Sequence, residues 1–434
     1  KICASSNCFD LSHKPYKHQR RNLAAMVSAK LPSIFIEAQL PLIYANIILA
    51  FALGPQAHTF RVCLTLPILL FLVCQSLYRE QNGPWEDLLS NNSLVMFTVF
   101  VYIDWILLQS PDREQWHKLN NAKTESNGPT KAKESGPPHG FFQRIWFGCR
   151  IATAWRYIGW SCQVKNVPME HSAGYPRRYF IARKSLRALA FYLMKETLEV
   201  YTASTPHGGW WDTQNTKPAL SIKNVPLWHQ FKYTWVHIFL AYATLEMANS
   251  ILGVVSVILH LATPQECPSA FGDLKDFFTF ALANISNRTV WHQHMRRLTS
   301  TMGLFVARDL MQLRKGSFQS KYVQLFVGFG VSAGLHAGVA LLCSKALNDD
   351  SALFFFGIQA PIIMLEDHVI AKGKSLGFKD SPLWRFIGFV WTTLAIGFTC
   401  RAWVGSMIDN GMWVHARKKD SVIQGLLINA IQQP

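Results

Sequence analysis

Stretches of mostly apolar residues, each close to the length of a membrane crossing, recur from Ser33 to Val404. A spanning helix needs about 20 such residues, and backbone at bilayer depth must satisfy its own hydrogen bonds. The candidate crossings are Ser33–Leu53, Val62–Tyr78, Leu94–Gln109, Leu186–Ala203, Trp235–Leu261, Tyr322–Cys343, Ala352–Ala371 and Trp384–Val404. This spacing predicts an all-α fold, a polytopic transmembrane helical bundle of about eight spans. Leu186–Ala203 fits least well, because it carries Arg187, Lys195, Glu196 and Glu199. An amphipathic helix lying partly in the interface is its alternative. Phe277–Phe280 and Leu304–Ala307 are too short to cross, so Pro268–Lys321 reads as interfacial or re-entrant.

Composition agrees. Only 16% of residues are charged and 50% are hydrophobic, too little polar side chain to cover a water-facing surface. Disorder as the main state is excluded by the same figures. The net charge of +17 does not mark a nucleic-acid binder, because the basic residues lie between apolar runs and not on one face. The nine cysteines form no CxxC pair, which removes zinc-ribbon and thioredoxin-type readings. Lys1–Asn22 has no apolar stretch of signal-peptide type, so an internal anchor is expected.

The chain divides into a polar N-terminal segment (1–32), N-terminal transmembrane helices (33–109), a flexible polar loop (110–140), a core (141–404) and a C-terminal tail (405–434). The loop is rich in Pro, Gly, Asn, Lys and Glu. Asp112–Arg183, Pro264–Lys321 and Lys372–Arg385 are the basic loops, and they alternate with Ser204–Thr234 and Ser344–Ser351. Placing the basic loops in the cytosol follows the Lys/Arg rule and makes the N-terminus lumenal, although Lys1–Lys30 is itself basic. Of the sequons at Asn91, Asn284 and Asn287, this orientation leaves the last two cytosolic.

Ionisable groups at membrane depth are costly and point to function. His336 lies inside LFVGFGVSAGLHAGVALLC among Ser332, Ala333, Gly334, Ala337 and Gly338. Small residues allow a helix or a ligand to approach closely, and an imidazole there can accept a hydroxyl proton near neutral pH. A hydrogen bond to a neighbouring helix explains the same histidine equally well. Trp291-His292-Gln293-His294-Met295-Arg296-Arg297 is a second constellation. Its two histidines at i, i+2 point to different sides of a helix and make a poor metal pair. Arg296 and Arg297 can contact phosphates or serve as interfacial anchors. Glu366-Asp367-His368 ends an apolar run and either fixes a cation across the bundle or meets water. Asp104 and Glu246, also inside candidate spans, read as structural polar contacts.

Four segments, taken in order, resemble one family. They are WRYIGWSCQVKNVP (Trp155–Pro168), PSAFGDLKDFF…SNRTVWHQHMRR (Pro268–Arg297), SAGLHAG (Ser332–Gly338) and FFFGIQAPIIMLED (Phe354–Asp367). Together they are similar to the wax synthase-like group of membrane-bound O-acyltransferases, in particular its fungal branch that acetylates terpenoid and meroterpenoid hydroxyls. The resemblance covers about Trp155–Val404. It departs from the family near Asn287-Arg288 and at Tyr157.

The resemblance implies a function. The chain would move an acetyl group from acetyl-CoA to a hydroxyl of a hydrophobic acceptor within the bilayer, in the endoplasmic reticulum, with no metal. The family's essential histidine maps onto His336 as general base, and its Trp-His motif onto Trp291 and His292, the latter as oxyanion donor or orienter. Trp291, Gln293, Arg296, Arg297, Asn287, Glu366 and Asp367 become candidates for substrate or acyl-CoA binding. Two rival readings are a membrane transporter of hydrophobic metabolites and a membrane terpene cyclase. Matching inverted halves would support the first. The second would use Asp104, Glu246 or Glu366 as acid and need no CoA.

Overall fold

The structure is a computed structural model that describes residues 38–78, 83–119, 136–163, 171–172, 174–212, 217–218, 220–271, 295–345, 351–379, 381–417 and 425. Asn284, Asn287, Trp291, His292 and Gln293, and the N-terminal segment 1–32, lie outside them.

Local signals place the helices. Helix α1 (Gln39–Ala52) stops at Gly54, whose φ of 80° is left-handed, and Pro55 opens the turn that leads into α2 (His58–Tyr78). Pro84 precedes α3 (Trp85–Tyr102), which carries Glu86 and Asp87 in its first turn, where the helix dipole favours acids. One turn of π-helix, Ile103–Leu107, extends α3. Helix α4 (Phe141–Thr153) is followed by α5 (Arg177–Ala203) and α6 (Leu227–Ile258), the last two each introduced by a proline. A short α7 (Arg296–Leu304) precedes α8 (Phe318–Ser344), which the Ser317 hydroxyl caps by accepting from the Ser320 amide. Helix α9 (Ala352–Ser375) and α10 (Pro382–Asp409) complete the bundle, the latter capped by Ser381 with Pro382 at its first position. The two strands, β1 (Gly209–Trp210) and β2 (Val414–His415), pair in parallel.

Six of these helices, α2, α3, α6, α8, α9 and α10, are long and apolar enough to cross a membrane. Each of the eight expected crossings falls on a helix among the described residues, so the all-α polytopic bundle stands. The remaining two are α1, which is shorter, and α5, which is charged. Helix α5 is one continuous helix of 27 residues, and its charges are answered by partners. Lys195 pairs with Glu86 at 3.2 Å and also with Glu199, while Arg187 pairs with Glu246 at 3.2 Å. Buried charge is tolerated when paired in this way.

Contacts between helix ends sort the loops into two groups. At one end Asn92 of α3 donates to Cys343 of α8 at 3.4 Å, and Ser221 donates to Asp409 of α10 at 2.9 Å. The β1–β2 clasp sits there too, between the α5–α6 loop and the residues after α10. At the opposite end Arg177 of α5 donates to the Ile258 carbonyl, and Lys321 of α8 pairs with Asp367 of α9 at 2.6 Å. The described ends of the three basic loops lie at this second end, the basic end.

Ser110–Leu119, at the head of the loop expected to be flexible, carries structure. Ser110–Arg113 forms a helical turn, Trp116 is fully buried and Lys118 bridges Trp160. Trp116 joins Trp105 and Tyr157 in the core formed by α1, α2 and α3. Arg144 of α4 pins this region with a double hydrogen bond to Asp112 at 2.8 and 2.9 Å, and donates to the Phe51 carbonyl at 2.9 Å. Composition averaged over the whole loop hides one anchoring aromatic.

Candidate active site

His336 stands eighteen residues from the start of α8 and eight from its end, so its ring lies about 27 Å from the basic end and about 12 Å from the clasp end. It is half-buried. Its imidazole stacks on Phe356 of α9, centroids 4.3 Å apart and planes at 5°, and meets the edge of Trp403 of α10 at 5.0 Å. Phe355, Phe356 and Trp403 pack on one another, so three helices meet at the histidine. The ring is thereby held in one orientation. Small residues surround it as the sequence indicates. Gly334 has nothing within 4 Å of where a Cβ would stand, whereas at Gly338 the end of Met96 already fills that place. Gly334 is exposed on the outer side of α8, away from the His336 ring.

The other expected residues do not converge on His336. Glu366 accepts from the Trp391 indole at 2.6 Å. Asp367 pairs with Lys321 and accepts from the Tyr322 hydroxyl at 3.3 Å, near the basic end. Phe356 and Glu366 share α9 but are ten residues apart, about 15 Å along the axis. Arg297 lies 14% exposed over the Trp116 ring at 4.8 Å. Its guanidinium faces Asp104 at 3.6 Å and donates to Glu114 at 2.8 and 3.0 Å. Burial opposes the charge, but Asp104 and then Glu114 outweigh it, and the Arg297 pKa is raised. Asp104, fully buried in the π-helical turn, is thus half of an internal ion pair. Glu246 is likewise engaged, accepting from the Phe271 amide at 2.7 Å and pairing with Arg187.

A second polar cluster is not foreseen by the sequence. Glu86, Glu199 and His415 bring three potential ligand atoms within 4.8 Å of one another, and the Lys195 ammonium contacts both carboxylates. Thr202 gives its proton to the Leu198 carbonyl, so it accepts from His415 Nε2 at 2.8 Å. That turns His415 Nδ1 toward Glu86, 3.4 Å away. The one sequence signal is the Lys195/Glu199 pair at i, i+4 within the charged candidate crossing Leu186–Ala203. Glu86 and His415 come from distant parts of the chain and give none.

Residues 267–358 match the model of the membrane bound O-acyl transferase family, a stretch that contains α7, α8 and His336. The acetyltransferase sirH of Leptosphaeria maculans is 98% identical over 409 residues, which cover 94% of this chain and all of that protein. The chain belongs to the membrane-bound O-acyltransferases. More distant relatives extend the picture along most of the chain. The acetyltransferase eriL of Hericium erinaceus is 29% identical over 375 residues, 86% of this chain and 91% of its own. The acetyltransferase ple2 of Rhodocybe pseudopiperita is 25% identical over 336 residues, 77% and 82% of the respective chains. No solved structure matches. The resemblance read from four motifs is therefore correct at the level of the family. The protein is an integral membrane enzyme that transfers acyl groups to oxygen, and family membership implies an acyl-CoA co-substrate.

Proposed function

We propose that the chain is a fungal O-acetyltransferase of secondary metabolism, moving acetyl from acetyl-CoA to a hydroxyl of a hydrophobic terpenoid or meroterpenoid. His336 is the general base. The observation that carries the reading is its position: an imidazole within an apolar helix, inside the segment matched by the family, and clamped by Phe356 and Trp403. The names of the relatives support acetyl as the group transferred.

In the proposed step His336 takes the proton of the acceptor hydroxyl as its oxygen attacks the thioester carbonyl. The carbon–oxygen bond forms, the oxyanion collapses and the carbon–sulfur bond breaks. The CoA thiolate leaves and takes the proton from the imidazolium. His292, which lies outside the described residues, is the proposed oxyanion donor, and Trp291, Gln293 and Asn287, outside them too, are proposed for substrate or acyl-CoA binding. The basic end would receive the CoA phosphates, with Arg296 there. Arg297 anchors this segment to α3 through Asp104, and Glu366 and Asp367 fix Trp391 and Lys321 toward the basic end. The Lys/Arg rule puts the basic end in the cytosol, and we place the protein in the endoplasmic reticulum.

The test is acetyl transfer by purified His336→Ala protein. The variant inserts, binds CoA and forms no ester. Near-normal turnover would overturn the assignment of the base. Membranes given acetyl-CoA and hydroxylated terpenoids, followed by mass spectrometry, separate the rival activities. Ester formation excludes a pure carrier, and dependence on CoA excludes a cyclase.

A further inference from the structure

Two buried indole N–H groups lie beside the proposed reaction chamber with nothing to donate to among the described residues. Trp85, the first residue of α3, is 7% exposed, and Trp413, just before β2, is 0% exposed. Neither Nε1 has a hydrogen-bond partner there. Buried tryptophan normally finds an acceptor, and an unmet donor costs free energy that apolar replacement would avoid. His237 adds one more unmet atom, Nδ1, at 6% exposure.

These groups share a neighbourhood. Trp85 packs with Leu335 and Val339, which lie beside His336 on α8. Trp413 packs with Phe355, Val404 and Met407, and Phe356 and Trp403, which clamp His336, pack against the same cluster. Leu89 and Met412 border both groups. His415 lies two residues beyond Trp413, on β2. His237 interacts electrostatically with Glu86 and His415. The side chains around both indoles are aliphatic and aromatic, and both lie toward the clasp end, on the side of His336 remote from the basic loops.

An indole N–H can only donate. Its complement is an oxygen acceptor, such as a hydroxyl, ether or carbonyl, and not a cation. Resting on the reading of His336 as base, we propose that Trp85 and Trp413 bind an oxygen of the acceptor other than the hydroxyl that is acylated. The acceptor would then be an apolar skeleton with at least two oxygens, one at His336 and one at the tryptophan pair. The pair makes the enzyme selective for the more oxidised members of a terpenoid series, so a hydroxylating or other oxygen-inserting reaction precedes this step.

The experiment compares matched mono- and dihydroxylated terpenoids of about ten, fifteen and twenty carbons as thermal-shift ligands, a size series that brackets an apolar pocket. The proteins are wild type and Trp85→Phe/Trp413→Phe in lipid nanodiscs. In wild type the second hydroxyl strengthens binding. In the double variant that gain is lost, with diol affinity falling about fivefold per indole removed and mono-alcohol affinity unchanged. Equal behaviour of the two proteins toward every pair, including no binding by either, overturns the proposal. If the double variant does not insert, the comparison is made on the two single variants. His336→Ala keeps the diol preference, since it removes turnover and not the indoles. Turnover retained by His336→Ala would sink the base assignment alone, whereas loss of diol selectivity is judged by binding.

Discussion

Replacing Arg297 by Gln distinguishes an anchor from a phosphate ligand. The guanidinium lies 3.6 Å from Asp104, which is 0% exposed, and is itself 14% exposed. At that separation and an effective dielectric of about 20, the attraction is about 4–5 kcal/mol. Desolvation of both groups offsets part of it, so the pair contributes less than that to folding. Breaking it is another matter, because the Asp104 carboxylate is left buried without a cation, at a cost of about 3–5 kcal/mol. The Glu114 contact adds at most about 1 kcal/mol, because Glu114 is 36% exposed. We expect Arg297→Gln to lose about 3–5 kcal/mol in SDS-titration unfolding. Asp104→Asn should lose a comparable amount, and the double variant should recover at least about 2 kcal/mol relative to the sum. The Michaelis constant for acyl-CoA of the folded fraction should not change. An Arg297→Gln enzyme of undiminished stability whose acyl-CoA requirement has risen would refute the reasoning and return Arg297 to the cofactor.

Two further outcomes follow from packing and burial. At Gly397 of α10 a Cβ would run into the Phe231 ring and stand 2.8 Å from Trp235 Nε1, so Gly397→Ala should cost about 1–3 kcal/mol in detergent unfolding. Gly357→Ala on α9, with nothing within 4 Å, should be silent, and equal effects at both sites would contradict the close α6–α10 contact. Burial pushes the Cys267 thiol up to about 11, helped by Glu266. Its neutral form is therefore retained across the physiological range, and maleimide labelling should stay slow until pH passes about 9, read by peptide mass spectrometry. Stability should fall as pH rises between the unfolded and folded values of this group, because the unfolded thiol ionises first. Rapid labelling of Cys267 at neutral pH would be inconsistent with its burial.

The six helices long and apolar enough to cross a membrane are legible because hydrophobic length is a local property and bilayer thickness is a fixed ruler. His336 is legible for a related reason, as an ionisable group is conspicuous inside such a run. Its clamp is not. Phe356 belongs to a run of three phenylalanines and Trp403 to a span, and nothing local separates them from residues facing lipid. Arg297 shows the opposite difficulty: the pattern marks a cation near the interface, but only packing shows that its counter-charges come from Asp104 and Glu114. Trp85, Trp413 and His415 acquire meaning only where α3, α8 and α10 end together, an arrangement that requires tertiary contacts between segments far apart in the chain.

The parallel clasp joins the residues after the last crossing to the link between α5 and α6, with the Gly209 amide donating to the Trp413 carbonyl and the Trp211 amide to the His415 carbonyl. These backbone positions act as a latch over one mouth of the bundle. A proline at Trp211 would take one donor from the latch and leave the aromatic clamp on His336 untouched, yet under the proposed mechanism it would let water reach the thioester. On the proposed reading of acetyl-CoA as donor and His336 as base, leakage of acetyl-CoA to acetate with His336 still in place is the signature that such a lesion would leave.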